Sequence, residues 1–264
     1  MHPRGDRSTG KCCICGRDAR LTFEHVPPRS AFNGREVFAQ TLAEKLKGIP
    51  PELTPGAGEY SLCEECNENL GSRYGTSFVD FCRDAMAILD NADEYCRSVS
   101  LPETYPLRVL KQILVMFATI CGASLLENDL GLRRFVRKRD EQALPDRYGV
   151  FISYVLAGGI FRRSDISVRG SFCGAASIHF AELVYPPFAY VLAVDSGPPD
   201  ERLVEIGQPF SSYRFKEKAA INLPLPQLPT PTSIPGDYRT AREVEARLVD
   251  QGIDPGSYRS PFGL

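Results

Sequence analysis

The sequence predicts an α+β fold in three parts: a cysteine-rich N-terminal module over 11–92, a helical middle, and a C-terminal antiparallel β-rich region, the last two making up 93–264. Three observations lead to this reading. Two Cys-x-x-Cys pairs, Cys12/Cys15 and Cys63/Cys66, bracket short strand-like segments. Between Asn67 and Leu126, apolar residues recur at spacings of three and four, the period of a helix with one buried face. Beyond Pro145, runs rich in Val, Ile, Phe and Tyr alternate with Gly, Pro and Asp clusters, as in antiparallel strands joined by turns.

Taken in order, residues 1–10 are polar and carry Pro3 and Gly5, which predicts a frayed start. A strand is expected at Ala19–Phe23, ending before Pro27 and Pro28. Residues 29–60 read as an insertion, with helical spacing over 35–47 and a Gly/Pro-rich loop over 48–58. Tyr60–Leu62 suits a short return strand. A helix is expected from Asn67, with Leu70, Tyr74, Phe78, Phe81 and Ala85 on its buried side; Gly71 and Gly75 within it would permit close approach of another backbone. A second helix should start near Pro106 and run to about Leu126, and a third should cover Leu130–Arg139. Strands are expected at 150–157, 171–183 and 188–195. The proline-dense segment 221–236 predicts extended chain lying over the surface or acting as a tether, and 241–249 a last short helix.

Bulk properties narrow the function. With 264 residues, 43% hydrophobic and 24% charged, the chain is ordinary for a globular protein. A formal net charge of −2 argues against coating nucleic acid by bulk electrostatics, so any such contact needs a local basic face. The most apolar stretch, 113–126, is too short to cross a bilayer and reads as a buried core helix, with no membrane role. The N-terminal segment lacks the apolar core of a signal peptide, and a reducing cytoplasm is the expected compartment for the nine cysteines.

Four of those cysteines carry a specific chemistry. Two knuckles at i, i+3 present four thiolates, the donor set of a closed, structural zinc site. Gly16, directly after Cys15, allows the positive φ that turns backbone amides toward the sulfurs, and Cys13 reads as a bystander. Zinc accounts for the cysteines alone. It leaves unexplained the Glu24–His25 dipeptide between the knuckles and Asn67 directly behind the second one.

The order Cys12-x-x-Cys15, Glu24-His25, Cys63-x-x-Cys66-Asn67 resembles the HNH, or His-Me finger (ββα-metal), nucleases, and within them the zinc-stapled branch that includes phage endonuclease VII. The resemblance spans residues 11–80. It implies a treble-clef-like ββα unit with the acid–His pair on the first strand and Asn at the start of the helix. By that resemblance His25 would act as general base toward water, and Glu24 and Asn67 would supply oxygen ligands to a catalytic Mg²⁺ or Mn²⁺, zinc remaining structural. Glu24 departs from the family's usual Asp, and the helix histidine that gives the motif its third letter is absent. The implied partner is nucleic acid, with DNA the expected substrate, and bacterial genome defence the implied setting.

Arg29 in the insertion and Arg73 within two turns of Asn67 are the candidate substrate contacts. Arg133, Arg134, Arg137, Lys138 and Arg139 form the densest basic cluster. A charge run of this kind is ordinarily a solvated helix face, while its helical spacing also suits tracking a phosphate backbone. The C-terminal region is expected to contact substrate, a partner protein or a second copy of the chain. The rival reading is a zinc-dependent nucleic-acid-binding or protein-interaction protein that does not cleave.

Overall fold

The computed structural model describes residues 9–39, 44, 47–90, 98–155, 161–169, 177–230 and 234–254. It is α+β. Its first sheet has the order β1 (Thr9–Lys11), β2 (Asp18–His25), β5 (Gly58–Cys63). Strands β2 and β5 are antiparallel, pairing Leu21 with Cys63 and His25 with Gly58, and a register shift between Thr22 and Phe23 leaves Ser61 unpaired in the ladder. Both strands extend beyond the residues expected from sequence.

Between them, β3 (Val37–Ala39) and β4 (Glu52–Thr54) pair antiparallel as a small ribbon. The helix expected over 35–47 is therefore wrong at 37–39. Val37 and Phe38 have the branched and aromatic side chains that favour a pleated strand, and cross-strand pairing with Leu53 and Thr54 overrides the apolar spacing. Residues 40–43 and 45–46 of that expectation lie outside the described residues.

Helix α1 (Glu64–Leu70) starts on the residue after Cys63, three before the expected start. It continues through a wider π-helical turn at Gly71–Gly75 into α2 (Thr76–Asp90). Leu70, Tyr74, Phe78, Phe81 and Ala85 are buried, as their spacing predicts. A Cβ at Gly71 or Gly75 would meet nothing within 4 Å, so these glycines do not serve the close backbone approach expected of them; they bound the π turn instead.

After β6 (Val99–Thr104) comes α3 (Pro106–Cys121), with Pro106 in its first turn. It ends at Gly122, and a separate short α4 (Ser124–Glu127) follows, so one helix to Leu126 is not formed. Helix α5 is Leu130–Arg137. Lys111 of α3 is fully buried, and its ammonium donates to the carbonyls of Phe135, Lys138 (2.9 Å) and Glu141 (2.8 Å), closing the C-terminal end of α5. Burial pulls the Lys111 ammonium down to about 7. Three carbonyl acceptors and the face of the Phe135 ring, 4.0 Å away, nonetheless match the three donors of the charged form.

The C-terminal part is built on a sheet of order β11–β7–β10–β9–β8, comprising β7 (Tyr148–Val155), β8 (Arg162–Arg169), β9 (Ile178–Tyr185), β10 (Phe188–Val194) and β11 (Val204–Glu205). Neighbouring strands on this path are antiparallel, as expected. Strand β8 is an additional element within the predicted region. Residues 171–176 of the strand expected at 171–183 lie outside the described residues. After the short α6 (Gly207–Ser211), β12 (Ala219–Leu223) pairs with β6, and β13 (Gln227–Leu228) adds parallel to β7. The proline-dense segment is thus no tether: Leu225, Leu228 and Thr230 are buried, because two short ladders draw it into the fold. Helix α7 (Ala241–Asp250) is closed by a reciprocal cap between Thr240 and Glu243.

One continuous buried cluster runs from Cys12 and Ile14, through Tyr74, Phe78 and most of α3, to Phe188, Tyr190 and Leu225. A smaller cluster lies around Phe180, Val191 and Tyr238. Beside it the buried Arg162 and Glu182 meet through two hydrogen bonds of 3.0 and 3.1 Å, and Arg162 also reaches the carbonyl of Asp237. Paired and hydrogen-bonded, these charges avoid the penalty of isolated burial. Among the described residues, no helix is long and apolar enough to cross a membrane.

Candidate metal centre and active site

The register of β2 against β5 brings the knuckles together. The first follows β1 and precedes β2; the second straddles the junction of β5 and α1. The Sγ atoms of Cys12, Cys15, Cys63 and Cys66 all lie within 4.8 Å of one another, with Cys15 and Cys63 at 3.9 Å. A tetrahedron with Zn–S bonds of about 2.3 Å has edges of roughly 3.8 Å. The donor set therefore fits zinc. At this spacing no sulfurs are joined, and all four cysteines are free thiols.

Electrostatics point the same way. Hydrogen bonding from Cys66 holds the Cys12 thiol down to about 4, whereas Cys66 itself is pushed far up, first by that same bond to Cys12. One sulfur ionises readily and the next is opposed by its charge. A divalent cation is what allows four thiolates to share so small a volume. Gly16 has φ of 73°, as its position after Cys15 requires, and its amide donates to the carbonyl of Cys12 at 2.8 Å. Cys13 stands apart, its thiol pushed up to about 12 by burial, while its amide donates to Ser61.

Two arginines brace this centre, Arg17 and, from the predicted basic cluster, Arg133. Arg17 donates through Nε to Cys15 Sγ at 3.5 Å and pairs with Glu65 of α1. Arg133 of α5 donates to the carbonyl of Cys15. The Arg17–Glu65 and Arg133–Cys15 contacts join residues 48 and 118 apart in the chain, so no local motif announces them.

Of the predicted catalytic residues, Asn67 directly follows Cys66, while Glu24 and His25 lie toward the far end of β2, beyond the Leu21 that pairs with Cys63. Asn67, one turn into α1, donates through Nδ2 to Thr22 Oγ1 of β2 at 3.0 Å. Thr22 and Glu24 alternate onto one face of the strand, so Asn67 sits on the face that carries Glu24. Burial pushes the Glu24 carboxyl up to about 7. His25 is the last residue of β2, half-buried, and its ring lies edge-on to Phe23 at 5.1 Å, so it shares the face of Phe23.

The start of β5 is fitted closely to this dipeptide. A Cβ at Gly58 would lie 2.2 Å from the carbonyl oxygen of Glu24, and one at Gly56 would lie 2.9 Å from His25 Cδ2. Asn33, fully buried, fixes the two ends of the insertion: its Nδ2 donates to the carbonyls of Pro27 and Ala57, both at 2.7 Å, and its Oδ1 accepts from the Ala57 amide at 2.8 Å. From the C-terminal sheet, Arg163 of β8 pairs with Glu59 at 2.7 Å and donates to the Gly58 carbonyl.

The two predicted substrate contacts go to different places. Arg29 is exposed in the loop after β2. Arg73, in the π turn, faces α5, its Nη1 3.3 Å from the carbonyl of Arg137. No protein-family model, curated protein or solved structure compared with this chain matches it.

Proposed function

We propose that the protein is a metal-dependent endonuclease that hydrolyses phosphodiester bonds in nucleic acid, with DNA the expected substrate. The observation that carries the reading is the contact of Asn67 with β2, made where the cysteine cluster ties β5 and α1 to the first knuckle. The sequence β2, β5, α1 has the order that the ββα unit of the HNH nucleases requires, with acid and histidine on the first strand and the amide on the helix.

The donor chemistry suits a hard cation. Glu24 is a carboxyl that burial pushes up, and Asn67 commits its Nδ2 to Thr22, leaving its carbonyl oxygen as the ligand atom. Glu24 and Asn67 would hold Mg²⁺ or Mn²⁺, which when bound supplies positive charge to the phosphate and the leaving oxygen. His25 takes the proton of the attacking water as its oxygen bonds to phosphorus; the P–O bond to the leaving sugar breaks, and that oxygen acquires a proton from solvent. The products are a phosphomonoester and an alcohol. One positioned base contributes about 10²–10⁴-fold.

The test is nicking of supercoiled plasmid by the zinc-loaded chain in Mg²⁺ or Mn²⁺. Conversion should be lost in His25→Ala with one equivalent of zinc retained. A fully zinc-loaded wild type that leaves plasmid intact, or a His25→Ala variant as active as wild type, overturns the proposal. The second reading, a zinc-stabilised nucleic-acid-binding protein without cleavage, is favoured by one feature: the His25 ring packs with Phe23, on the strand face opposite to Glu24.

A further inference from the structure

The predicted basic cluster at α5 is exposed to solvent, as expected, but it does not stand alone on a helix face. It forms one wall of an open groove of about 790 Å³ whose other walls come from the π turn and the start of α3. Arg73, Arg108, Arg134, Arg137, Lys138 and Arg139 line it against only two acids, Asp140 and Glu141, an excess of four positive charges in a protein of net charge −2.

Both acids are spoken for, Asp140 by Arg139 at 2.9 Å and Glu141 by Arg134. Arg108 is held rigidly, with its guanidinium 3.9 Å from the Tyr105 ring and 4.4 Å from that of Phe215, while Nε donates to the Phe215 carbonyl. Arg137 and Lys138 are exposed and have no ion-pair partner among the described residues. Like charges gathered from three elements cost stability unless an anion joins them. The groove is open rather than enclosed, so a chain of phosphates can pass through it.

We infer that this groove binds the phosphate backbone of a nucleic-acid strand and holds it beside the cysteine-stapled module. The identity of the anion rests on the nucleic-acid reading above; the inference does not need cleavage. The groove and module are adjacent: Arg133, next to the groove residue Arg134, grips the Cys15 carbonyl.

The experiment measures fluorescence anisotropy of a labelled DNA duplex of about 20 base pairs, and of a single strand of the same length, on the full zinc-loaded His25→Ala chain without added Mg²⁺. Binding free of cleavage separates this inference from the nuclease reading, since a chain that never nicks plasmid can still bind here. Arg137→Glu with Lys138→Glu should weaken binding roughly tenfold or more at moderate salt. It should also reduce the slope of log K against log[salt] by about 2, near 0.9 for each phosphate no longer neutralised. A matched pair of reversals on α7, Arg242→Glu with Arg247→Glu, should leave affinity within about twofold. Zinc content and far-ultraviolet circular dichroism equal to wild type establish that each variant folds. Absence of binding at about 50 mM salt, an unchanged affinity in the groove variant, or an equal loss in the α7 pair would each overturn the inference.

Discussion

Glu24 shows how one residue's surroundings turn into a measurable quantity. Its carboxyl titrates at about 7 in the folded chain against an ordinary value of 4.5. The folded state therefore holds the proton more tightly than the unfolded state. Stability from this group is full below pH 4.5 and is lost as pH rises through about 7. Glu24→Gln, which removes the charge, should raise stability without Mg²⁺ by about 1–3 kcal/mol at pH 8 and by much less at pH 5.5, read from urea midpoints. Equal gains at both pH values would show that the carboxyl is not desolvated. At this scale, legibility depended on separation along the chain. The four cysteines stand in short motifs, and their convergence could be read directly. The contacts of Arg17 with Glu65, Asn33 with Ala57, Lys111 with Phe135 and Arg133 with Cys15 could not, because each joins residues 24 or more apart.

For the elements, the β2–β5 pair is the one on which the site depends, and its tightest point is Gly58. An alanine there would drive its methyl to 2.2 Å from the Glu24 carbonyl oxygen, a backbone atom that cannot swing away. Gly58→Ala should cost about 2–4 kcal/mol and abolish nicking together with stability, measured by thermal melts and the plasmid assay. Normal stability in that variant would mean the strands can separate at this end without consequence. Helices after the second knuckle were the most legible elements: the apolar period marked the buried side that runs through α1 and α2, and an unbroken apolar run marked α3, which is buried on nearly every side. The ribbon β3–β4 was not, since a three-residue strand is decided by its partner across the loop. The same holds for β12 and β13, where cross-strand pairing recruits a segment whose prolines suggested an independent tether.

At the scale of the whole molecule, the larger buried cluster among the described residues includes both the knuckle residues and C-terminal strands. The sequence suggested a division into 11–92 and 93–264, but it could not report their common core, since no local pattern says which apolar faces meet. Zinc held by the four cysteines would be folding energy for the module they join, and through this core it should reach the rest of the chain. Chelation of zinc is expected to lower the melting temperature by more than 10 °C, with signals from the helices and from the C-terminal tyrosines falling together in one transition. Two separated transitions, the later unaffected by chelator, would show the halves to be energetically independent.

The Asn33 side chain has an evolutionary corollary. By pinning Pro27 to Ala57 with a single amide, it closes the neck of everything between them. Beyond such a neck, doubling the length of a flexible excursion costs only about 0.6 kcal/mol. Descendants of this sequence are free to graft new recognition surfaces onto the ribbon while the strands beneath keep their alignment, and Asn33 is the residue such remodelling must spare.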